Sequence, residues 1–362
     1  MEFKKYESIY YYFNEKLNNK LAPTGLCGKS PLACFDLDYT LIKPKSGKKF
    51  PIDHTDWEFL FPNKIKQYLT SLIKDNYTII IFTNQKGISK NKTTIEELTQ
   101  KLNNIQNELN IDFNILISTI DDKYRKPMIG MWQFLLDQTN INVDYENSFY
   151  VGDAAGRIYD KKKDHSNDDR NFAFNIKFDE WMFITPEKFF DELDGDHTIV
   201  TNNLNSYNEN IEFNINNEDK NMVLLVGPPS SGKSYLCDSL FKNYKRVNQD
   251  TLKTQKKCLD KTVKYLKNNR NVIIDNTNPT KDRRKEYLDL ASKYGYKKYI
   301  INMNIPRNVV KYLNIYRTQT SNNKVLPDVV YNVFYKKYEQ PTDNEGIIYN
   351  YKNYFIDPKY KF

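Results

Sequence analysis

The run Met222-Val-Leu-Leu-Val226 passes without a break into Gly227-Pro-Pro-Ser-Ser-Gly-Lys-Ser234. No other stretch limits the fold so tightly. An apolar run without alternation reads as a strand buried on both faces, which belongs in a parallel sheet covered by helices. The segment after it has the spacing G-x-x-x-x-G-K-[ST] in a strand–loop–helix setting. Gly227 and Gly232 free the backbone to converge its N–H groups on phosphate oxygens, and Ser231 counts with them as part of the loop. The start of the following helix adds a favourable partial charge. Lys233 is placed to reach the β- and γ-phosphates of ATP, and Ser234 to offer its hydroxyl to Mg²⁺. An ordinary glycine-rich turn would need neither the strand before it nor the Lys-Ser pair after it.

Further on, Arg246-Val-Asn-Gln-Asp250 ends the next candidate strand in a carboxylate. Asp250 is suited to take a proton from an attacking hydroxyl. Asn271-Val-Ile-Ile-Asp275 resembles the acid-terminated strand of phosphate-loop ATPases, but Asn276-Thr-Asn-Pro279 does not belong to generic ATPases. Asp275 and Asn276 are candidate contacts to phosphate or substrate. A basic helix is expected over Val309–Thr318, with Arg317 near its end. Arg317 either closes over ATP or is a plain surface cation.

The first half is read around Asp36-Leu-Asp38, which follows the apolar run Leu32–Phe35. Strand side chains alternate, so the acids start out on one side. In an open α/β sheet, ligands bind at the carboxyl ends of the strands. Two acids there suit Mg²⁺ and a phosphate. One can attack phosphorus, while the other protonates the leaving oxygen and later activates water. A solvated acidic turn would look the same locally. The basic loop Lys43–Lys49 is a solvated turn by charge alone, and a substrate edge if it borders a phosphate site.

A second strand, Tyr77–Phe82, ends in Thr83-Asn84. Their hydroxyl and amide can hold phosphate oxygens, although a polar turn into a helix has the same composition. A third strand, Phe113–Thr119, leads to Lys126, which precedes a proline and belongs at an element boundary, as a fixed charge or a surface lysine. A fourth strand from Phe149 ends in Asp153, and the charged run Lys161 to Asp169 follows. Such a run is usually solvated surface; its place after Asp153 brings Asp169 towards a site. Helical spacing falls between the strands, at 61–75 and 93–109. Phosphate-compatible groups at four consecutive strand ends argue for one shared site.

With 362 residues the chain suggests two domains. Its formal charge of +8 suits a polyanionic partner without demanding one. No apolar run is long enough for a bilayer, and Met1-Glu-Phe-Lys-Lys5 opens no signal-peptide pattern. Cys27, Cys34, Cys237 and Cys258 form no Cys-x-x-Cys pair. They are expected as free thiols in an intracellular, reducing compartment, with nucleus or cytoplasm left open. His54, His165 and His197 lack metal-ligand spacing, which argues against zinc.

Taken together, Phe35-Asp-Leu-Asp-Tyr-Thr-Leu-Ile42, Ile81-Phe-Thr-Asn-Gln-Lys-Gly-Ile88, Tyr124-Arg-Lys-Pro127 and Tyr150-Val-Gly-Asp-Ala-Ala-Gly-Arg157 resemble the phosphatase half of the polynucleotide kinase 3′-phosphatase family. The phosphate loop, Asn248-Gln-Asp-Thr-Leu252, Asp275-Asn-Thr-Asn-Pro279 and Tyr338-Glu-Gln-Pro-Thr342 resemble its kinase half, in order. The resemblance implies a haloacid dehalogenase-like doubly wound parallel sheet, placed at 1–190, and a P-loop kinase α/β domain, placed at 220–362; the polar sequence of little helical period over 191–219 reads as the connector between them. It implies an enzyme that removes 3′-phosphates and phosphorylates 5′-hydroxyl ends with ATP. Asp36 would be the nucleophile, Asp38 the acid and base, and Asp36, Asp38 and Asp153 the Mg²⁺ ligands, with Asp169 in support. Thr83, Asn84 and Lys126 would meet phosphoryl oxygens. Lys233 and Ser234 would hold ATP·Mg²⁺, with Asp250 as base and Arg317 stabilising charge.

The implied partners are nucleic-acid ends, DNA ahead of RNA, bound by a monomer away from membranes. The forkhead-associated domain of animal members is not expected in this chain. Two positions depart from the family pattern. Gln249 stands for a frequent Arg, and Tyr39 for a usual Gly. Tyr39 is expected at negative φ, its ring either bordering the substrate cleft or packed on a neighbouring loop. Two rivals are a phosphatase fused to a small-molecule kinase and an end-binding protein with dead sites; the second conflicts with the intact Asp36, Asp38, Lys126, Lys233 and Asp250.

Overall fold

The computed structural model describes residues 1–15, 17, 29–139, 141–159, 162–179, 182–190, 197–199, 204–209, 211–216, 218–321 and 323–362. Cys27, Lys161 and Asp194-Gly-Asp196 lie outside the described residues. The chain divides into two compact units. One comprises 1–202 with 318–324 and 358–362, the other 203–317 with 325–357.

Among the described residues of the first unit, seven strands share a sheet: β1 (Lys4–Tyr6), β2 (Ile9–Tyr12), β3 (Leu32–Phe35), β4 (Thr78–Asn84), β5 (Asn114–Ser118), β6 (Phe149–Val151) and β7 (Phe183–Ile184). Their order is β1-β2-β5-β4-β3-β6-β7. From β5 to β7 every pairing is parallel. The Tyr-rich start of the chain forms the antiparallel hairpin β1–β2, and β2 pairs antiparallel with β5. Helices α1 (Lys64–Lys74), α2 (Ile95–Leu109), α3 (Gly130–Thr139) and α4 (Asp168–Asn175) are the principal helices of this unit.

Alternation explains the continuous apolar strands. Leu32, Cys34, Ile80, Phe82 and Leu116 enter one core; Ala33, Phe35, Ile79, Ile81, Ile115 and Ile117 enter the other. Both faces are covered, so the strands lack a polar side. The chain leaves β3 towards β4 on one side and later returns to β6 on the other. That reversal opens a crevice at the carboxyl ends of β3 and β6.

The second unit is organised around the sheet β9-β10-β8-β11-β12, parallel throughout. Its strands are β8 (Asn221–Val226), β9 (Lys245–Val247), β10 (Val272–Ile274), β11 (Lys297–Asn302) and β12 (Ile347–Asn350). Met222, Leu224 and Val226 face one core, Val223 and Leu225 the other. Helices α5 (Lys233–Leu240), α6 (Gln249–Leu252), α7 (Gln255–Lys267), α8 (Lys281–Lys293), α9 (Arg307–Thr320) and α10 (Asp328–Lys337) follow in chain order. Part of the connector expected at 191–219 lies among the described residues. Thr198–Ile199 pairs with Arg157–Ile158, and Phe213 packs its ring against Phe241, Tyr349 and Tyr351.

Candidate active sites

In the first unit the site lies at the carboxyl ends of β3 and β6. Asp36 follows β3 directly, its N–H donating to Val151 O at 2.9 Å. Lys126 is 2% exposed and lies in the segment between β5 and α3. Its Nζ donates to Asp36 Oδ1 and Asp169 Oδ1, both at 2.6 Å, to Phe82 O at 2.7 Å and to Tyr150 Oη at 3.0 Å. Burial works against its charge, but Asp169 and Asp36 more than offset it and hold the pKa above its ordinary value. Burial pushes Asp36 up, against the pull of Lys126. It also pushes up Asp153, with Asp169 and Asp36 adding to the shift.

Asp169 arrives from the first turn of α4 and is 2% exposed. It accepts from Tyr150 Oη at 3.1 Å and from the Ala154 N–H at 3.1 Å. Gly152 makes this approach possible, because a Cβ there would lie 2.6 Å from the Asp169 side chain. Carboxylate oxygens of Asp36, Asp153 and Asp169 come within 4.8 Å of one another. Hard oxygen donors so placed fit a Mg²⁺ ion.

The structure reassigns several residues. Asp38 is outside this carboxylate group; its oxygens accept from Gln85 Nε2 at 2.6 Å and Lys101 Nζ at 3.4 Å. Asp169 takes its place among the candidate metal ligands. The Asn84 amide pairs with backbone. It accepts from the Lys126 N–H at 3.0 Å and donates to Lys126 O at 3.2 Å, fixing the backbone behind the buried ammonium. Thr83 Oγ1 accepts from Gln85 Nε2 at 2.9 Å, and buried Thr40 accepts from the Asp153 N–H at 3.1 Å.

Tyr39 overturns the expected negative φ, adopting φ 60°. The turn after the nucleophile candidate is tight: Tyr39 N–H donates to Ile42 O, and Leu41 N–H to Leu37 O. A left-handed residue is needed there, whatever its side chain. The ring is 38% exposed and its hydroxyl donates to Lys49 O at 2.8 Å.

Sequence reasoning gave no role to Gln85, Lys101 or the Tyr150 hydroxyl. Lys101 lies on the α2 stripe of Leu98, Leu102 and Ile105, where a charge signals a buried partner. Tyr150 in an apolar strand likewise required a partner for its hydroxyl.

The second unit builds its site where β8 turns into α5. Gly232 holds φ 88° at the helix start, and a Cβ on Gly227 would lie 2.9 Å from Met303 O. Lys233 is buried, its Nζ donating to Gly227 O at 3.0 Å, Pro228 O at 2.5 Å and Ser231 Oγ at 3.3 Å. Burial lowers its pKa to about 8, against the pull of Asp275 and Asp250. Arg317, on α9, is close enough to lower it further. Ser234 Oγ donates to Asp275 Oδ2 at 3.1 Å, a pair suited to Mg²⁺ carried by a nucleotide.

Asp275 is 2% exposed and held by Arg246 Nε at 2.8 Å and Asn248 Nδ2 at 3.1 Å. These contacts place it beneath Ser234, with Arg246 and Asn248 as supports that no local sequence pattern marks. Asn276 Oδ1 accepts from the Gln249 N–H at 2.7 Å, so it fixes the start of α6. That helix carries Asp250 exposed in its first turn. Arg283 donates to Gln249 Oε1 on the same turn.

Comparison with known proteins agrees with both halves. Residues 31–190 match the family model described as "Polynucleotide kinase 3 phosphatase", and residues 222–341 match one described as "AAA domain". The Schizosaccharomyces pombe "Bifunctional polynucleotide phosphatase/kinase" is 36% identical over 324 residues, covering 86% of this chain and 76% of its own. A relative in Acanthamoeba polyphaga mimivirus, named for the same pair of activities, is 34% identical over 91% of this chain and 87% of its own. The Arabidopsis thaliana "Polynucleotide 3'-phosphatase ZDP" is 34% identical over 46% of this chain and 25% of its own.

Proposed function

The chain belongs to the bifunctional polynucleotide phosphatase/kinase family, and from that premise we propose how its residues divide the chemistry. It is an end-processing enzyme that removes 3′-phosphates and transfers the ATP γ-phosphate to 5′-hydroxyls, leaving ends fit for ligation. The observation that carries this reading is the pair of buried lysines: Lys126 between Asp36 and Asp169, and Lys233 within the phosphate loop.

At the first site an Asp36 oxygen attacks phosphorus. The bond to the 3′-oxygen breaks as Asp38 gives it a proton, leaving an aspartyl-phosphate. Asp38 then takes a proton from water, which attacks the same phosphorus and releases inorganic phosphate. Gln85 and Lys101 hold the Asp38 carboxylate for both steps. Lys126 offsets charge on Asp36, and Thr83 binds a phosphoryl oxygen. Asp36, Asp153 and Asp169 would hold a Mg²⁺ ion, which would supply further charge neutralisation.

At the second site Lys233 and the loop N–H groups hold the ATP phosphates. Ser234, backed by Asp275, holds the nucleotide's Mg²⁺. Asp250 accepts the proton of the 5′-hydroxyl as its oxygen attacks the γ-phosphorus, and Arg317 meets developing charge.

The preferred substrate is DNA, and the working form is a monomer. Buried Cys34, Cys237 and Cys258 are free thiols, which supports an intracellular, reducing compartment. Among the described residues no helix is long and apolar enough to cross a membrane. The test is a pair of assays on end-labelled DNA and RNA, single- and double-stranded. Release of 3′-phosphate and ATP-dependent labelling of 5′-hydroxyls are expected. Phosphorylation of free nucleosides in preference to oligonucleotides would overturn the kinase half.

A further inference from the structure

We propose that Tyr39 positions the loop over residues 44–57 as the edge of the phosphatase site that selects a polynucleotide over a small phosphate ester. The inference rests on the functional reading above and deepens it. Tyr39 sits between Asp38 and Thr40, at φ 60°, a region that bulky residues rarely occupy. The turn sets that backbone whatever residue stands there, so what tyrosine adds over glycine is its side chain.

The side chain makes a specific contact. Its hydroxyl donates to Lys49 O at 2.8 Å, with Lys48 O at 3.4 Å. Glycine at this position would keep the turn and lose the tether. The tethered loop is already folded on itself: Asp56 accepts from Ser46 N–H and Oγ at 2.7 Å and from the Ile52 N–H at 2.8 Å. Tyr39 ties the middle of that loop to the turn that follows Asp38.

The tie holds up a surface suited to nucleic acid. Phe50 is 68% exposed, with Lys49 Nζ 5.7 Å and Lys92 Nζ 6.0 Å from its ring centre. An exposed aromatic face flanked by ammonium groups fits a base and its neighbouring phosphates. A small phosphate ester has neither and would not use it. Tyr39 is thus a positioning residue, acting through Phe50 and Lys49.

The experiment compares wild type, Tyr39→Phe, Phe50→Ala and the double variant in the full chain. Substrates are a 3′-phosphorylated oligonucleotide and p-nitrophenyl phosphate. Tyr39→Phe keeps the ring and the turn and removes the tether. Loss of one hydrogen bond should raise the oligonucleotide KM roughly three- to tenfold, with kcat unchanged. The kcat/KM on p-nitrophenyl phosphate should not move. In the Phe50→Ala background the tyrosine substitution should have a smaller further effect, since the tether acts in part through Phe50. An unchanged oligonucleotide KM, equal losses on both substrates, or full additivity with Phe50→Ala would each overturn the proposal. Failure of the functional reading shows elsewhere, as wild type that cleaves the aryl phosphate but no oligonucleotide, and it takes this inference with it.

Discussion

Lys126 Nζ stands 2.6 Å from Asp36 Oδ1 and 2.6 Å from Asp169 Oδ1, so one buried ammonium holds two carboxylates that belong to different elements. Lys126→Met would leave those carboxylates facing each other without a cation. Removing one partner of a buried ion pair costs roughly 3–5 kcal/mol. The 3′-phosphatase rate should fall by about a hundredfold or more, from lost charge compensation. The 5′-kinase should persist. A variant with normal 3′-phosphate release would remove Lys126 from the mechanism.

Gly152 and Asp169 offer a second probe of the same site. A Cβ on Gly152 would meet the Asp169 side chain at 2.6 Å, against a helix that cannot move without loosening its own contacts. Gly152→Ala should push α4 away and draw Asp169 off Lys126. A displacement near 1 Å can cost about a hundredfold in rate. Phosphatase kinetics on both oligonucleotide and aryl phosphate should fall together, with kinase activity intact. Unaltered phosphatase kinetics would show that the site tolerates the shift.

What sequence made legible were the strand ends. Apolar runs at 32–35, 222–226 and 272–274 have no polar alternation because both sheet faces are covered, and the Asp36, Gly227 and Asp275 that end them are then conspicuous. Residues that act on other residues were harder to see. Asn84 and Asn276 carry amides that could equally bind phosphate or backbone, and only the fold shows that they bind backbone. Arg246 reaches Asp275 across 29 positions of sequence, a pairing no local pattern encodes. The expectation of negative φ at Tyr39 follows from intrinsic cost, about 1–3 kcal/mol for strained backbone. Tertiary contacts around the turn outweighed that cost. The terminal strand β12 and helix α10 were not anticipated; β12 is largely exposed and lacks a buried strand's pattern.

Asp250 gives the sharpest separation of the two sites. It is exposed on α6, whose start is fixed by Asn276. Asp250→Asn preserves shape and removes the proton acceptor. ATP affinity, measured by calorimetry, should hold, while 5′-phosphate transfer drops by roughly a hundredfold or more. Asp36→Asn should produce the opposite pattern, abolishing 3′-phosphate release and sparing transfer. If either substitution silenced both reactions in folded protein, two independent sites could not account for the chain.

Arg284 and Glu345 govern how the kinase unit meets acid. Arg284 is fully buried; its Nε donates to Glu345 Oε2 at 2.7 Å and its Nη2 to Oε1 at 2.9 Å. Its Nη1 reaches Pro279 O and Glu339 O, tying the Asp275–Pro279 loop to the segment before β12. Burial raises the Glu345 pKa, but Arg284 and the Thr342 N–H more than offset it and hold it below its ordinary value of 4.5. A carboxylate lowered by folding contributes its full stability above its unfolded pKa. That contribution fades as pH falls through the folded value. Wild type should therefore begin losing kinase-unit stability below about pH 4.5. Glu345→Gln should already be weaker at pH 7, by roughly 3–5 kcal/mol, because Arg284 keeps its charge without a partner. It should also lose less on going from pH 7 to pH 4 than wild type does. Urea midpoints followed by residual 5′-kinase activity at the two pH values measure this. The same drop in both proteins would mean that another group sets the acid limit.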